Sequence, residues 1–325
     1  MKMKLLTIAI PTKGTRKSIL PLVERTLDQI YNDNEIELLI SFNNKTEIHD
    51  ELNSIICKKY SNIADRVKII SNIIDMNGDA NILNSIANVN SKFAWLVGDD
   101  DLIKPNVISE VKNIICKNLD AEIINLDNKF LIRNKVFGEQ DGYGAIEYLK
   151  RFDKISDALF ISNKIISINN IKNYFPEVYR MQMTCAAHLI LEILKLGESN
   201  KFIISDLDPF ELKGVERKNE SFDECQHIIY GHCLIKLFPF NLRIEQQLKK
   251  LINFKVIVYL SLKSIYIRML KNINKKEIYN EAIKISSVII ITGKFSLIMF
   301  AFLYIIIALC PSKLYIYLYE KFIIK

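Results

Sequence analysis

Residues 93–101 read FAWLVGDDD, an apolar run that ends in three consecutive aspartates. The apolar part is typical of a buried strand, and Pro105 favours a helix start soon afterwards. The sequence therefore predicts that Asp99, Asp100 and Asp101 lie at a strand-to-helix junction, where ligands of α/β proteins bind. Adjacent carboxylates repel one another unless water or a cation screens them. A cation such as Mg²⁺ or Mn²⁺ that also contacts phosphate groups explains the cluster better than a solvated acidic turn.

The segments around this stretch alternate between strand and helix patterns. Apolar runs predict strands at 5–10, 36–42, 67–71, 93–97 and 121–126. Apolar residues at helical spacing predict helices at 17–30, 48–60, 77–90 and 105–117. Such alternation indicates an α/β fold with a largely parallel sheet and helices on both faces. Thr12, Asn43 and Asp99 then fall at the carboxyl ends of strands.

The alternation weakens after residue 129. We expect a strand at 129–137, a turn at 141–144, a strand at 158–166, a helix at 181–196 and a loop at 207–222. Beyond residue 222 the pattern is almost entirely helical. The chain is therefore predicted to contain an α/β domain at 1–222 and a helical, basic and apolar region at 223–325.

The positive charge of the chain is concentrated in its last part. Residues 241–325 contain 14 Lys and Arg but only 4 Asp and Glu, whereas the whole chain has a net charge of +7. Because this part is also strongly apolar, it favours a membrane surface as partner over nucleic acid. For residues 285–310 we expect a helix in the plane of the membrane. A helix that spans the membrane and a buried or dimerisation helix are the alternatives.

Composition narrows the class of protein further. Half of the 325 residues are hydrophobic, which excludes a disordered chain. The six cysteines are scattered without a Cys-x-x-Cys pair, which is typical of a reducing compartment, and no early apolar stretch is long enough for a signal peptide. Cys225, His227, His232 and Cys233 do not match the spacing of structural zinc ligands.

Four motifs together carry a family resemblance. They are TIAIPT at 7–12, ELLISFN at 37–43, NGDAN at 77–81 and FAWLVGDDD at 93–101. In this order and at these intervals they resemble the family 2 glycosyltransferases with the GT-A fold, over about residues 5–210. The tryptophan before Gly-Asp-Asp-Asp is most similar to bacterial transferases that build O-antigen or capsule, the abequosyltransferase-like group.

The resemblance implies a reaction and a place in the cell. A metal-dependent glycosyltransferase of this kind moves a hexosyl or deoxyhexosyl group from a nucleotide-sugar donor. The acceptor is a lipid-linked or surface polysaccharide precursor, such as O-antigen, capsule or lipooligosaccharide. The membrane-associated C-terminal region then implies a peripheral or monotopic protein at the cytoplasmic face of the bacterial inner membrane.

The resemblance also implies roles for matching residues. Pro11 and Thr12 would line the nucleotide pocket, and Asn77 and Asn81 would lie near the base or ribose. Asp99 would contact the ribose or the metal. Its neighbours Asp100 and Asp101 would hold Mn²⁺ or Mg²⁺ against the donor diphosphate.

Two positions depart from the family pattern. The second strand ends in Phe42 where members usually have a base-reading Asp, so Asn43 becomes the candidate for that contact. The Glu-Asp pair that supplies the general base of inverting members does not occur near residues 181–196. His188, which Glu192 could orient, is the first candidate base and Asp157 the second, while a retaining mechanism would need no strong base.

The sequence leaves three other assignments open. Arg217 and Lys218 are candidates to close over the diphosphate, and a solvated charge cluster explains them equally well. A sugar-1-phosphate nucleotidyltransferase is the rival enzyme, although the single glycine in residues 10–18 argues against its phosphate loop. A membrane-bound GT-A scaffold without activity is the non-enzymatic rival.

Overall fold

The computed structural model describes residues 3–44, 46–73, 76–126, 138–153, 155–180, 186–211, 242–252, 254–291 and 295–321. The chain forms two compact units. The first contains residues 1–153 and 157–214, and the second contains residues 154–156 and 215–325. The predicted domain boundary at residue 222 and the predicted strand at 129–137 lie outside the described residues.

A mixed eight-stranded sheet forms the centre of the first unit. Its strands are β1 (Leu6–Thr12), β2 (Ile36–Phe42), β3 (Val67–Ser71), β4 (Phe93–Leu96), β5 (Ile123–Leu126), β6 (Glu139–Tyr143), β7 (Lys164–Ser167) and β8 (Lys201–Ser205). Their order across the sheet is β3-β2-β1-β4-β7-β5-β8-β6. The first four strands are parallel, as is the pair of β5 and β8. Strand β7 is antiparallel to β4 and β5, and β6 is antiparallel to β8.

Helices cover both faces of this sheet. They are α1 (Ile19–Ile30), α2 (Glu47–Lys59), α3 (Gly78–Ala87), α4 (Val107–Lys117), α5 (Ala145–Lys150), α7 (Phe175–Arg180) and α8 (Ala187–Leu196), whereas the short helix α6 (Ile155–Ala158) contains residues of both units. Leu6, Ile8 and Ile10 alternate along β1 and pack with α1, α2 and α4 in one apolar core. On the opposite face α3 contacts β1 and β2, and α8 contacts α3. The predicted α/β layering is confirmed.

Two segments differ from their predicted structure. Residues 141–144 were expected to form a turn, yet residues 139–143 form the edge strand β6. A Cβ atom on Gly142 would lie 2.3 Å from Cζ of Phe202. The glycine that suggested a turn is therefore needed because the Phe202 ring packs closely against this strand. The strand expected at 158–166 begins only at Lys164, because Ile161–Asn163 form a 3₁₀ turn.

The second unit is helical in its described residues. Its helices are α9 (Leu242–Leu251), α10 (Phe254–Leu270), α11 (Lys275–Ile291), α12 (Phe295–Ala308) and α13 (Ser312–Tyr319). Side chains from α10 to α13, such as Ile265, Ile285 and Tyr304, form a separate apolar core. Within the described residues, we find no helix with the length and apolar character that crossing a membrane requires.

Candidate functional site

The carboxyl ends of β1 and β4 bring the first of the three aspartates against Thr12. The two strands are parallel neighbours, so their ends meet at the same edge of the sheet, and the amide of Val97 donates to the carbonyl oxygen of Ala9 at 2.9 Å. The Thr12 hydroxyl donates to Oδ2 of Asp99 at 2.6 Å, and Thr12 Oγ1 accepts from the Gly14 amide at 2.9 Å. One threonine therefore links the loop after β1 to the loop after β4.

The loop after β1 also supplies a positive charge. Nη1 of Arg16 lies 2.9 Å from Oδ2 of Asp100 and 3.3 Å from Oδ1 of Asp99. The Ser18 hydroxyl donates to the backbone oxygen of Asp99 at 2.9 Å. The family motifs assigned no role to Arg16 or Ser18, although both lie within seven residues of Pro11 in the sequence.

The third aspartate is held from the other side by a residue that sequence reasoning missed. The Ser162 hydroxyl donates to Oδ2 of Asp101 at 2.5 Å, and its oxygen accepts from the Gly98 amide at 2.8 Å. Nε1 of Trp95 donates to the Ser162 carbonyl oxygen at 2.8 Å. Ser162 is fully buried, so these contacts fix Asp101 relative to β4.

The carboxylates of Asp100 and Asp101 both lie close to the backbone of Gly98. A Cβ atom there would lie 2.9 Å from Oδ2 of Asp101, 3.2 Å from Oγ of Ser162 and 3.3 Å from Oδ1 of Asp100. The position has no room for a side chain unless an aspartate moves. The glycine thus allows the carboxylates to approach the backbone closely.

Asp99 and Asp100 differ in their burial and therefore in their electrostatic environment. Burial raises the pKa of Asp99, although the Thr12 hydrogen bond and the positive charge of Arg16 oppose that shift. The Asp100 charge nearby acts in the same direction as burial. The Asp100 side chain is 40% exposed, so this carboxylate is accessible to a ligand.

These carboxylates are suitable ligands for a hard divalent cation whose remaining coordination positions are filled by phosphate oxygens. Among the described residues, no group of three or more His, Cys, Asp or Glu side chains forms a ready-made metal cage. Mg²⁺ sites of nucleotide enzymes use one or two carboxylates together with water and substrate phosphates, so such a cage is not required. The Arg16 guanidinium already lies where a cation between the carboxylates would be stabilised.

The predicted base contact, Asn43, is engaged within the protein. Its Oδ1 accepts from the Met76 amide at 2.7 Å, and its Nδ2 donates to the Met76 carbonyl oxygen. Asn43 is 6% exposed. Both ends of its amide therefore hold the segment after β3, and base reading by this side chain stays a prediction.

The asparagine motif that opens α3 serves the local structure. Asn77 caps the helix by accepting from the Ala80 amide at 2.8 Å. Asn81 donates to the backbone oxygens of Thr12 and Ser41 at 3.2 and 3.0 Å. It thereby joins the ends of β1 and β2, while its predicted contact with the base or ribose stays a prediction.

Asp79, within the same motif, caps a different helix. It is 3% exposed and accepts from the amides of Ala186 and Ala187 at 3.4 and 3.2 Å. These amides begin α8, and residue 186 has no side-chain cap of its own. A carboxylate at a helix N-terminus is stabilised by the helix dipole. Because Asp79 belongs to α3, this contact stabilises the packing of α8 against α3.

The two predicted base candidates lie in a buried cluster instead of an open cleft. His188 and Asp157 are each 2% exposed. Burial lowers the pKa of His188 to about 3, and the positive charge of Lys164 acts in the same direction. His188 is therefore an enclosed, neutral imidazole at neutral pH, and this burial does not support a role as the base of an incoming acceptor.

Glu192 has a different partner from the one expected. Its Oε2 accepts from the Tyr148 hydroxyl at 2.5 Å and lies 3.6 Å from Nζ of Lys164. Lys164 donates to Oδ1 of Asn125 at 2.6 Å and to the Tyr148 hydroxyl at 2.9 Å. Burial raises the pKa of Glu192 and lowers that of Lys164. The expected orientation of the imidazole by Glu192 is thus replaced by a pairing with tyrosine and lysine.

Of the other predicted site residues, Pro11 lies within the described residues and Arg217 and Lys218 do not. Pro11 lies in β1 opposite Ser41 of β2, one residue before Thr12. Arg217 and Lys218 lie outside the described residues, and so do the cysteines and histidines at 225–233. A groove of about 590 Å³ between α4 and the segment after β8, lined by residues such as Lys104 and Asp208, does not include the aspartates.

Comparison with known proteins identifies the fold. No family model matches the chain, and no curated protein matches it. Residues 1–349 of TarS from S. aureus align with a TM-score of 0.54 and 12% identity, covering 98% of this chain and 91% of that one. The same fragment in complex with UDP-GlcNAc gives a TM-score of 0.53 and 10% identity, with 98% and 92% covered.

A mannosyltransferase from Pyrobaculum calidifontis, in complex with GDP-Man and Mn²⁺, is also similar, with a TM-score of 0.49 and 9% identity. That alignment covers 98% of this chain and 85% of the mannosyltransferase. The similarity to TarS establishes that this chain has the TarS fold, a mixed α/β architecture consistent with the predicted GT-A sheet.

Proposed function

We propose that this protein is a metal-dependent glycosyltransferase that takes its sugar from a nucleotide-sugar donor. The observation that carries the proposal is the close approach of the Asp100 and Asp101 carboxylates to Gly98, next to Asp99 and its Thr12 partner, at the carboxyl ends of β1 and β4. The fold gives further support, because TarS, which shares it, has been crystallised with UDP-GlcNAc and with UDP.

The three aspartates divide into two roles in this proposal. Asp100 and Asp101 would hold Mn²⁺ or Mg²⁺, which when bound would stabilise the negative charge of the departing nucleoside diphosphate. Asp99 is held by Thr12 and Ser18 and keeps the loop after β4 in place. Arg16, once released from the carboxylates, offers a guanidinium that can donate to diphosphate oxygens.

The acceptor in this proposal is a lipid-linked or surface polysaccharide precursor, and the protein works at the cytoplasmic face of the bacterial inner membrane. The basic and apolar character of residues 241–325 supports this location. A lipid-borne acceptor is confined to the bilayer surface, so an enzyme held there meets it at a raised effective concentration.

The test uses the full-length protein with UDP-, GDP-, CDP- and dTDP-sugars and measures nucleoside diphosphate release. We expect release with at least one donor, loss of release with a chelator, and loss in Asp100→Asn. Asp120→Asn is the matched control, because Asp120 is an exposed carboxylate that pairs with Lys201 before β5.

Two other results would overturn the proposal. Exchange of pyrophosphate into a nucleotide sugar would identify a nucleotidyltransferase. Absence of both release and donor binding across the panel would identify a scaffold without activity.

A further inference from the structure

Helix α12 has two apolar faces, and the protein covers only one of them. Leu297, Phe300, Ala301, Tyr304 and Ala308 are buried against the other helices of the second unit. This inward face accounts for the packing of the helix. It leaves unexplained why the opposite face is apolar as well.

The opposite face is a continuous stripe of large exposed side chains. Its members recur at intervals of three or four residues or stand next to one another: Phe295, Met299, Phe302, Leu303, Ile306 and Leu309, which are 78, 55, 57, 51, 65 and 59% exposed. Residues 295–309 contain no charged residue. Large exposed apolar patches mark sites that bind a partner or a membrane, so this stripe indicates a binding surface for an apolar partner.

Helix α13 follows directly and adds positive charge to its own outward face. Leu314, Tyr317 and Leu318 are 48, 57 and 39% exposed, whereas Tyr315 and Tyr319 are buried. Lys313 and Lys321 share this exposed side, and Nζ of Lys321 lies 5.6 Å from the Tyr317 ring centroid. Tyrosines and lysines beside an apolar surface are typical of the boundary between lipid headgroups and hydrocarbon.

We infer that the outward faces of α12 and α13 form a docking surface for an anionic phospholipid bilayer, with both helices lying in the plane of the membrane. The stripe on α12 enters the acyl boundary, and Lys313 and Lys321 meet lipid phosphates. Charge complementarity favours a bilayer over a second copy of this chain, because residues 241–325 carry 14 basic and 4 acidic residues and would repel a copy.

This inference deepens the membrane partner of the proposed function, and its test does not depend on catalysis. The full-length protein is sedimented with vesicles of phosphatidylcholine alone and of phosphatidylcholine with phosphatidylglycerol. We expect binding to the anionic vesicles. Phe302→Glu with Ile306→Glu should weaken it by about tenfold or more, since two inserted apolar side chains are lost.

Leu119→Glu is the matched control for this variant. Leu119 is a 54% exposed leucine of the first unit, so its replacement should leave vesicle binding unchanged. A second variant, Lys313→Gln with Lys321→Gln, should weaken binding to anionic vesicles by about fivefold per lysine and leave binding to neutral vesicles unchanged.

Three results would overturn the inference. They are a wild-type protein that stays in the supernatant, a stripe variant that binds as wild type does, and a wild-type dimer that the stripe variant converts to a monomer. Nucleoside diphosphate release, assayed without vesicles, is measured on the same variants. Its retention in the stripe variant separates loss of docking from failure of the proposed enzyme activity.

Discussion

Two clusters in the first unit each place a basic side chain beside a carboxyl group, and they differ in their access to solvent. At the ends of the strands, Arg16 pairs with Asp100, and these side chains are 44 and 40% exposed. Between β7 and α8, Lys164 lies 3.6 Å from Glu192, and both side chains are 0% exposed. The first pair can exchange partners with a ligand, whereas the second is sealed. Burial, more than residue type, thus separates the candidate site from a structural network.

The largest effect should come from breaking the sealed pair. Lys164→Met leaves Glu192 buried without its cation, so the free energy of unfolding should fall by about 3–5 kcal/mol. Lys164→Met with Glu192→Leu should recover most of that loss, because the unpaired charge is gone. Urea denaturation followed by circular dichroism measures both. A single variant as stable as wild type would contradict the description of this cluster as a sealed ion pair.

The open cluster should respond in activity instead of stability. Asp101→Asn keeps an oxygen that can accept from Ser162 and loses the charge, so kcat/KM for sugar transfer should fall by about 10²–10³-fold. The free energy of unfolding should change by about 1 kcal/mol or less, because the asparagine keeps the hydrogen bond with Ser162 in a neutral form. Asp65→Asn, an exposed residue before β3, is the control for both measurements. Full activity in Asp101→Asn would remove this carboxylate from the site.

The sealed cluster also predicts a pH dependence of stability. The pKa of His188 is about 3 in the folded protein, below its ordinary value of 6.5. Between these two pH values the unfolded chain binds a proton at His188 that the folded protein does not bind. The contribution of His188 to the free energy of unfolding is therefore fully present above pH 6.5 and decreases as the pH falls toward 3. From pH 8 to pH 5 this group should remove about 2 kcal/mol.

His188→Phe should abolish that part of the pH dependence, whereas His49→Gln should keep it, because that variant leaves His188 in place. Urea denaturation at the two pH values measures the difference. Equal pH dependence in wild type and His188→Phe would show that the imidazole is accessible to protons in the folded state.

Removal of the link to Asp101 should have an intermediate effect on metal binding. Ser162→Ala removes the hydroxyl that donates to Asp101 and leaves the Gly98 amide without its hydroxyl acceptor. We expect Mn²⁺ affinity, measured by electron paramagnetic resonance, to fall by about tenfold, in line with one charge-assisted hydrogen bond. Ser91→Ala is the control, because Ser91 is equally buried and its hydroxyl bonds Thr7 at the amino end of β4. The same fall in both variants would assign the effect to folding.

The smallest effect should come from Arg16. Its ion pairs with Asp99 and Asp100 are partly exposed, so each is worth at most about 1 kcal/mol. Arg16→Gln should therefore tighten Mn²⁺ binding by up to about fivefold in the absence of donor, since the competing cation is gone. Titration of Mn²⁺ by the same resonance method measures it. Weaker metal binding in this variant would show that Arg16 supports the metal instead of competing with it.

The strands that position the site could be predicted because their segments are predominantly apolar and short. Strands β2 and β3 begin and end at the predicted residues, and the acidic run falls at a strand end as expected. Ser162 could not be predicted, because it reaches Asp101 across 61 residues from a 3₁₀ turn that has no periodic pattern. The burial of His188 could not be predicted for a related reason, since the burial of a helical residue depends on neighbours that pack from distant segments.

The single tryptophan of the chain gives the site an internal optical probe. Trp95 is fully buried, and its indole N–H donates to the carbonyl oxygen of the residue whose hydroxyl holds Asp101. Emission from this one fluorophore arises wholly in the first unit. A ligand that moves the acidic loop should therefore alter the wavelength and intensity of the intrinsic emission. The occupancy of the site by a ligand can then be followed without attaching a dye or altering a residue.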